Sequence, residues 1–145
     1  MRHVDVFKVM TSRRNPEPRI VLNGAGGTVE VDAASLLAQY QLPDGDVLLV
    51  LDEDSPFEEG LHLVLVRGDR VVDHVVIGAP YASGIYREVA VEDDRLVFVF
   101  ENDMTWVVRS EHRGSHRIGG LPAGARRRGG WLATRHLSLS RGDAA

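Results

Sequence analysis

The sequence predicts a mainly β protein, an antiparallel meander forming a sandwich or open barrel with one short α-helix. Three observations carry that expectation. From Asp46 onward, apolar runs of six to eight residues recur about every ten positions, the spacing of all-β sandwiches and barrels. The joints RGDR, EDDR and ENDM place Gly, Asp and Asn at the reversals that join neighbouring antiparallel strands. One stretch, AASLLAQYQL, sets its large apolar side chains at helical spacing instead.

In chain order, HVDVFKVM alternates as a strand, with Val4 and Val9 apolar and Asp5 and Lys8 between them. TSRRNPEP holds two prolines and no apolar period, and reads as a loop. RIVLN and TVEV flank GAGG, whose glycines supply the positive φ angles of a tight hairpin. Asp32 or Ser35 can cap a helix carrying Leu36, Leu37 and Tyr40, which PDGD stops near Gln41. The meander follows as DVLLVL, LHLVLV, RVVDHVVI, IYREVAV, RLVFVF and MTWVVRS. Several of these strands are apolar on both faces, so both faces need a cover: a second sheet, the helix or a partner. Residues 111–130 form a Gly- and Arg-rich loop. In residues 131–140, Leu137 and Leu139 alternate with Ser138 and Ser140, as in a strand returning to an open sheet edge. Residues 141–145 are a frayed end.

A chain of 145 residues, 43% hydrophobic and 26% charged, fits one domain with its own core. The absence of Cys excludes disulfides, thiol nucleophiles and thiolate metal sites, and fits a reducing cytoplasm. The N-terminal stretch lacks the apolar region of a signal peptide, and no apolar run approaches the roughly 18 residues of a membrane span. A soluble, cytoplasmic protein is therefore expected, with no membrane partner. Residues 1–110 hold 10 basic and 19 acidic side chains, whereas residues 111–145 hold 7 basic and 2 acidic. An acidic body of that size repels phosphate and disfavours nucleic acid as a partner. The basic end can fold back on the body or on a second copy.

The acidic connection DEDSPFEEG offers Asp52, Asp54, Glu58 and Glu59 as carboxylates for a metal. Pro56 in the fifth position and a late Gly60 break the EF-hand pattern, so a solvated connection between two buried strands accounts for it. LLVLDED also resembles the first motif of haloacid-dehalogenase-type phosphatases, an apolar strand ending in Asp-x-Asp, here Asp52 and Asp54. That family implies a doubly wound α/β sheet and a later Lys, while the single Lys of this chain, Lys8, lies upstream. The resemblance covers seven residues. NGAGGT runs from strand to strand rather than into a helix, and is a turn rather than a phosphate loop. The two RGD tripeptides are a hairpin turn, with Gly68 first, and part of the chain end.

Two constellations remain. If Gly68 and Asp69 form a two-residue loop, Val64 opposes Asp73 and His62 opposes Val75. His62 and Asp73 then become diagonal neighbours on one face, the base half of a catalytic triad. With two-residue loops at residues 93–94 and 102–103, one meander face carries Val89, Val91, Leu96, Phe98, Phe100 and Val107. The other carries Tyr86, Glu88, Ala90, Val97, Val99, Glu101, Met104, Trp106 and Val108. The aromatics, Met104 and the two carboxylates of this second face suit a ligand pocket or an interface.

The function expected is a non-enzymatic binding module that uses Tyr86, Glu88, Glu101, Met104 and Trp106. Its partner would be a protein, a second copy of the chain or a small apolar ligand, with no cofactor. The alternative is a small hydrolase or metal-dependent enzyme built on Asp52, Asp54, His62 and Asp73. Against it stands the lack of a compact motif joining nucleophile, base and oxyanion donors. A weaker alternative is polyanion binding by the arginines of residues 126–128 beside Trp131.

Overall fold

Strand pairing accounts for nearly all the regular structure. The structure, a computed structural model, describes residues 1–53, 60–78, 84–100, 104–115, 120–128 and 134–142. Its strands are Arg2–His3 (β1), Lys8–Arg13 (β2), Arg19–Gly24 (β3), Gly27–Val31 (β4), Ser35–Gln41 (β5), Val47–Asp52 (β6) and Leu61–Arg67 (β7). Arg70–Ile77 (β8), Arg87–Val91 (β9), Arg95–Val99 (β10), Thr105–Ser115 (β11), Ala125–Arg127 (β12) and Arg135–Arg141 (β13) follow. They form a six-stranded sheet ordered β1-β5-β6-β7-β8-β12, a four-stranded sheet β13-β11-β10-β9 and a three-stranded sheet β2-β3-β4. All pairings are antiparallel and no sheet closes on itself, so the fold is mainly β and sandwich-like or open. No helix among the described residues is long and apolar enough to cross a membrane.

The six-stranded sheet is covered on both sides, as its doubly apolar strands require. Leu48 and Val50 of β6 and Leu61, Leu63 and Leu65 of β7 pack with Leu96, Phe98, Phe100, Trp106, Val108 and Leu137 of the four-stranded side. Their neighbours in alternate positions, Leu49, Leu51, Val64 and Val66, pack with Phe7, Ile20, Leu22, Val29 and Val31 of the three-stranded side. Each large side chain so buried contributes roughly 1.5–3 kcal/mol.

Four sequence expectations are corrected. Ser35–Gln41 is a strand, not a helix. A register shift between Leu36 and Ala38 puts an extra residue in β5, so adjacent leucines and Tyr40 imitate helical spacing. Hydrogen bonding to β6, and to β1 on the other side, then outweighs local helix propensity. HVDVFKVM is two strands in two sheets. Between them the Gln39 amide accepts from the Val6 and Phe7 N–H groups and donates to the Phe7 carbonyl, so a side chain stands in for a strand partner.

The third correction concerns register. Gly68 takes φ +67° and Arg67 does oppose Arg70. A shift between Leu65 and Val66 then sets Leu65 opposite Asp73 and Val64 opposite His74. Asp73 therefore leaves the face of His62, and His74 takes its place. In the meander, Phe98 opposes Trp106 and Val99 opposes Thr105, and the Phe100 N–H meets the Met104 carbonyl. Phe100 rather than residue 101 thus faces Met104, and Trp106 and Val108 join the core face of Leu96 and Phe98. A shift beside Phe98 leaves Val89, expected in the core, exposed. Fourth, residues 111–130 are not one loop: β11 continues to Ser115 and β12 pairs with β8. Downstream, β13 lies on β11, with Trp131 outside the described residues.

Candidate functional site

The face expected to bind divides in two. Trp106 is fully buried, donates its indole N–H to the Phe100 carbonyl and carries the Arg141 guanidinium 4.8 Å above its ring. Met104 packs at the edge of the same core, and Glu101 lies outside the described residues. Tyr86 and Glu88, by contrast, come together at one end of a cleft of about 650 Å³.

The cleft forms where the chain leaves the six-stranded sheet after β1 and crosses to β2, leaving the outer half of β5 uncovered. Val4, Phe7, Leu36 and Ala38 supply apolar wall, and Val9 and Leu37, half exposed, form its rim. At the polar end the Tyr40 hydroxyl donates to the Glu88 carboxylate at 2.6 Å and meets the Tyr86 hydroxyl at 2.5 Å. His3 Nε2 lies 2.9 Å from the same carboxylate, whose side chain is 33% exposed. The Tyr86 ring is held against Phe98 at 5.5 Å, and Phe98 is paired with Trp106. Trp106 thus supports the cleft from behind.

Burial, then the hydrogen bond to Glu88, pushes the Tyr40 hydroxyl far above its ordinary range. Burial pushes Tyr86 up to about 12. Both stay protonated at neutral pH. Sequence reasoning had no route to Tyr40, which it placed on a helix, or to His3.

Asp73, the expected partner of His62, is fully committed elsewhere. Its carboxylate accepts the backbone N–H groups of His136 and Leu137, each at 2.8 Å, and pairs with Arg127 Nε at 3.1 Å. This fastens β8 to β13. His62 is fully buried on the opposite face, with Nε2 2.8 Å from Glu53 and Nδ1 2.7 Å from His74 Nε2. Gly60 makes room for Glu53, since a Cβ there would sit 2.7 Å from the carboxylate oxygen. Burial, then the neighbouring His62, lowers His74 to about 4, so it is neutral at neutral pH. Asp32 completes this group. Neither Glu53 nor His74 was expected, because only the bulge in the β7–β8 hairpin brings the two histidines to one face.

Asp52 closes β6, accepts the Ala34 N–H on its carbonyl and borders a cavity of about 320 Å³ shared with Tyr86. Asp54, Glu58 and Glu59 lie outside the described residues, as does any cage they would form. Of the three consecutive arginines, Arg127 is held by Asp73 and Arg128 by Asp32 at 2.6 Å. No protein-family model, curated protein or solved structure matches this chain.

Proposed function

We propose that the chain is a small-ligand binding module whose site is the cleft ending at Tyr40, Tyr86 and Glu88. The observation carrying this reading is the juxtaposition of an apolar trough with the Glu88 carboxylate and two protonated hydroxyls at one end, while Asp5 and Lys8 of its lining pair with each other, in a space of about 650 Å³. Ligand sites of roughly 300–1,000 Å³ typically combine mostly apolar walls with a few convergent polar groups. The complementary ligand is an apolar molecule bearing a protonated amine. Its ammonium would replace His3 on Glu88, and its body would cover Val4, Phe7 and Leu36. The acidic balance of residues 1–110 favours the approach of a cation.

The test is a titration of the chain, followed residue by residue by nuclear magnetic resonance, with 2-phenylethylamine and with 2-phenylethanol. Saturable shifts at Tyr86, Glu88 and Ala38 with the amine, at least 10-fold tighter than with the alcohol, are expected; that ratio is about 1.4 kcal/mol. Equal affinity for both compounds, or shifts confined to other surfaces, would reject it.

A further inference from the structure

On the face of the six-stranded sheet that carries Val64, and sharing no residue with the cleft, lies a second polar group. His62 of β7 and His74 of β8 are diagonal neighbours there, with ring centroids 4.9 Å apart. Asp32 follows directly on β4, so the three-stranded sheet delivers it to the same place. One donor atom from each of Asp32, His62 and His74 lies within 4.8 Å of the other two. We infer that Asp32, His62 and His74 form a zinc site, with Glu53 orienting His62.

The chemistry of each ligand supports this. His62 donates Nε2–H to Glu53, which leaves its Nδ1 with a lone pair directed at His74. A carboxylate on the far nitrogen of an imidazole is the usual outer partner of a metal-bound histidine, fixing its tautomer and raising its basicity. His74 frees Nε2 for a metal by carrying its proton on Nδ1, so a pair of neutral imidazoles releases no net proton. Asp32 uses Oδ2 for Arg128, 2.6 Å away, which leaves Oδ1 to bind.

The fit of the two imidazoles requires only a small movement. Bonds of about 2.0–2.1 Å in tetrahedral geometry place two ligand nitrogens roughly 3.3 Å apart. The two nitrogens now stand 2.7 Å apart, sharing one proton that the ion would displace. Two imidazoles and one carboxylate suit Zn²⁺ and leave a fourth position for water. The other mixed group, Asp44, Asp46 and His112, differs in that Arg67 already grips Asp46 through both its Nε and Nη2.

The experiment is calorimetric titration of the full chain, free of any histidine tag, with ZnCl₂ alone. One equivalent bound at micromolar affinity or tighter is expected. His74→Gln and Asp32→Asn should each weaken binding at least 10-fold, and Glu53→Gln by roughly 10–100-fold. His112→Gln should leave it unchanged. Should a variant fold poorly, ring-nitrogen resonances of His62 and His74 in the unaltered chain give the same answer, since both must shift at one equivalent of zinc. No binding at millimolar zinc, ring nitrogens that do not move, or affinity that survives His74→Gln and falls in His112→Gln would each overturn the assignment.

Discussion

Asp73 and Glu88 are both carboxylates that join the six-stranded sheet to the four-stranded one, at different strands of each. Asp73, on β8, reaches across to β13, and Glu88, on β9, receives Tyr40 from β5. Their surroundings differ in kind. The partners of Asp73 are three main-chain amides, those of His74, His136 and Leu137, and a guanidinium, and its side chain is 2% exposed. The partners of Glu88 are side chains, a tyrosine hydroxyl and an exposed histidine, and a cleft opens in front of them. A carboxylate saturated by fixed amides can only fasten. One held by exchangeable side-chain groups beside open space can change partner, and this difference separates the structural residue from the binding residue.

The largest effect should come from Asp73→Ala. Three backbone N–H groups and Arg127 would lose their acceptor, and breaking such a buried charged cluster typically costs about 3–5 kcal/mol. Urea unfolding measures it, and a loss below about 1 kcal/mol would remove the distinction between the two carboxylates. Trp106→Ala should cost about as much, roughly 3–5 kcal/mol, because Trp106 fills the core behind Phe98. Near-neutral stability there would return Trp106 to the surface role that its sequence neighbours suggested.

Alkaline titration sharpens the Glu88 side of the comparison. A tyrosine whose hydroxyl pKa is raised on folding contributes stability that is complete below its unfolded value near 10 and declines as pH rises toward the folded one. Tyr86, at about 12, and Tyr40, higher still, should therefore keep their protons past pH 10. Phenolate absorbance and melting temperature recorded together over that range check it. Two tyrosines ionising normally near pH 10 in the folded chain would contradict the buried hydroxyl cluster.

What the sequence made legible was periodicity. Apolar residues on both faces of VLLVL and LHLVLV required cover on both sides, and the two clusters around Leu48 and Leu49 provide it. What it concealed were single-residue shifts of register. One at Leu37 made a strand resemble a helix, one beside Val66 exchanged Asp73 for His74 as the neighbour of His62, and one that sets Phe100 against Met104 moved Trp106 into the core. Such shifts depend on how sheets twist and pack against one another, which local composition does not encode. Tyr86 and Glu88 could be picked out as polar-aromatic residues on a strand. Tyr40, His3 and the cleft depend on β1 pairing with β5 across 36 residues of chain, from Arg2↔Gln41 to His3↔Tyr40.

The most direct test of the central claim is Glu88→Gln, measured for stability and for 2-phenylethylamine binding in the same preparation. Glutamine keeps the size and the acceptor for Tyr40 but removes the charge, so stability should change by less than about 1 kcal/mol, as for a partly exposed polar site. Amine affinity should fall at least 10-fold. Unchanged affinity, or a loss of stability comparable to that of Asp73→Ala, would show that Glu88 is a second fastening and that the cleft does not bind through it.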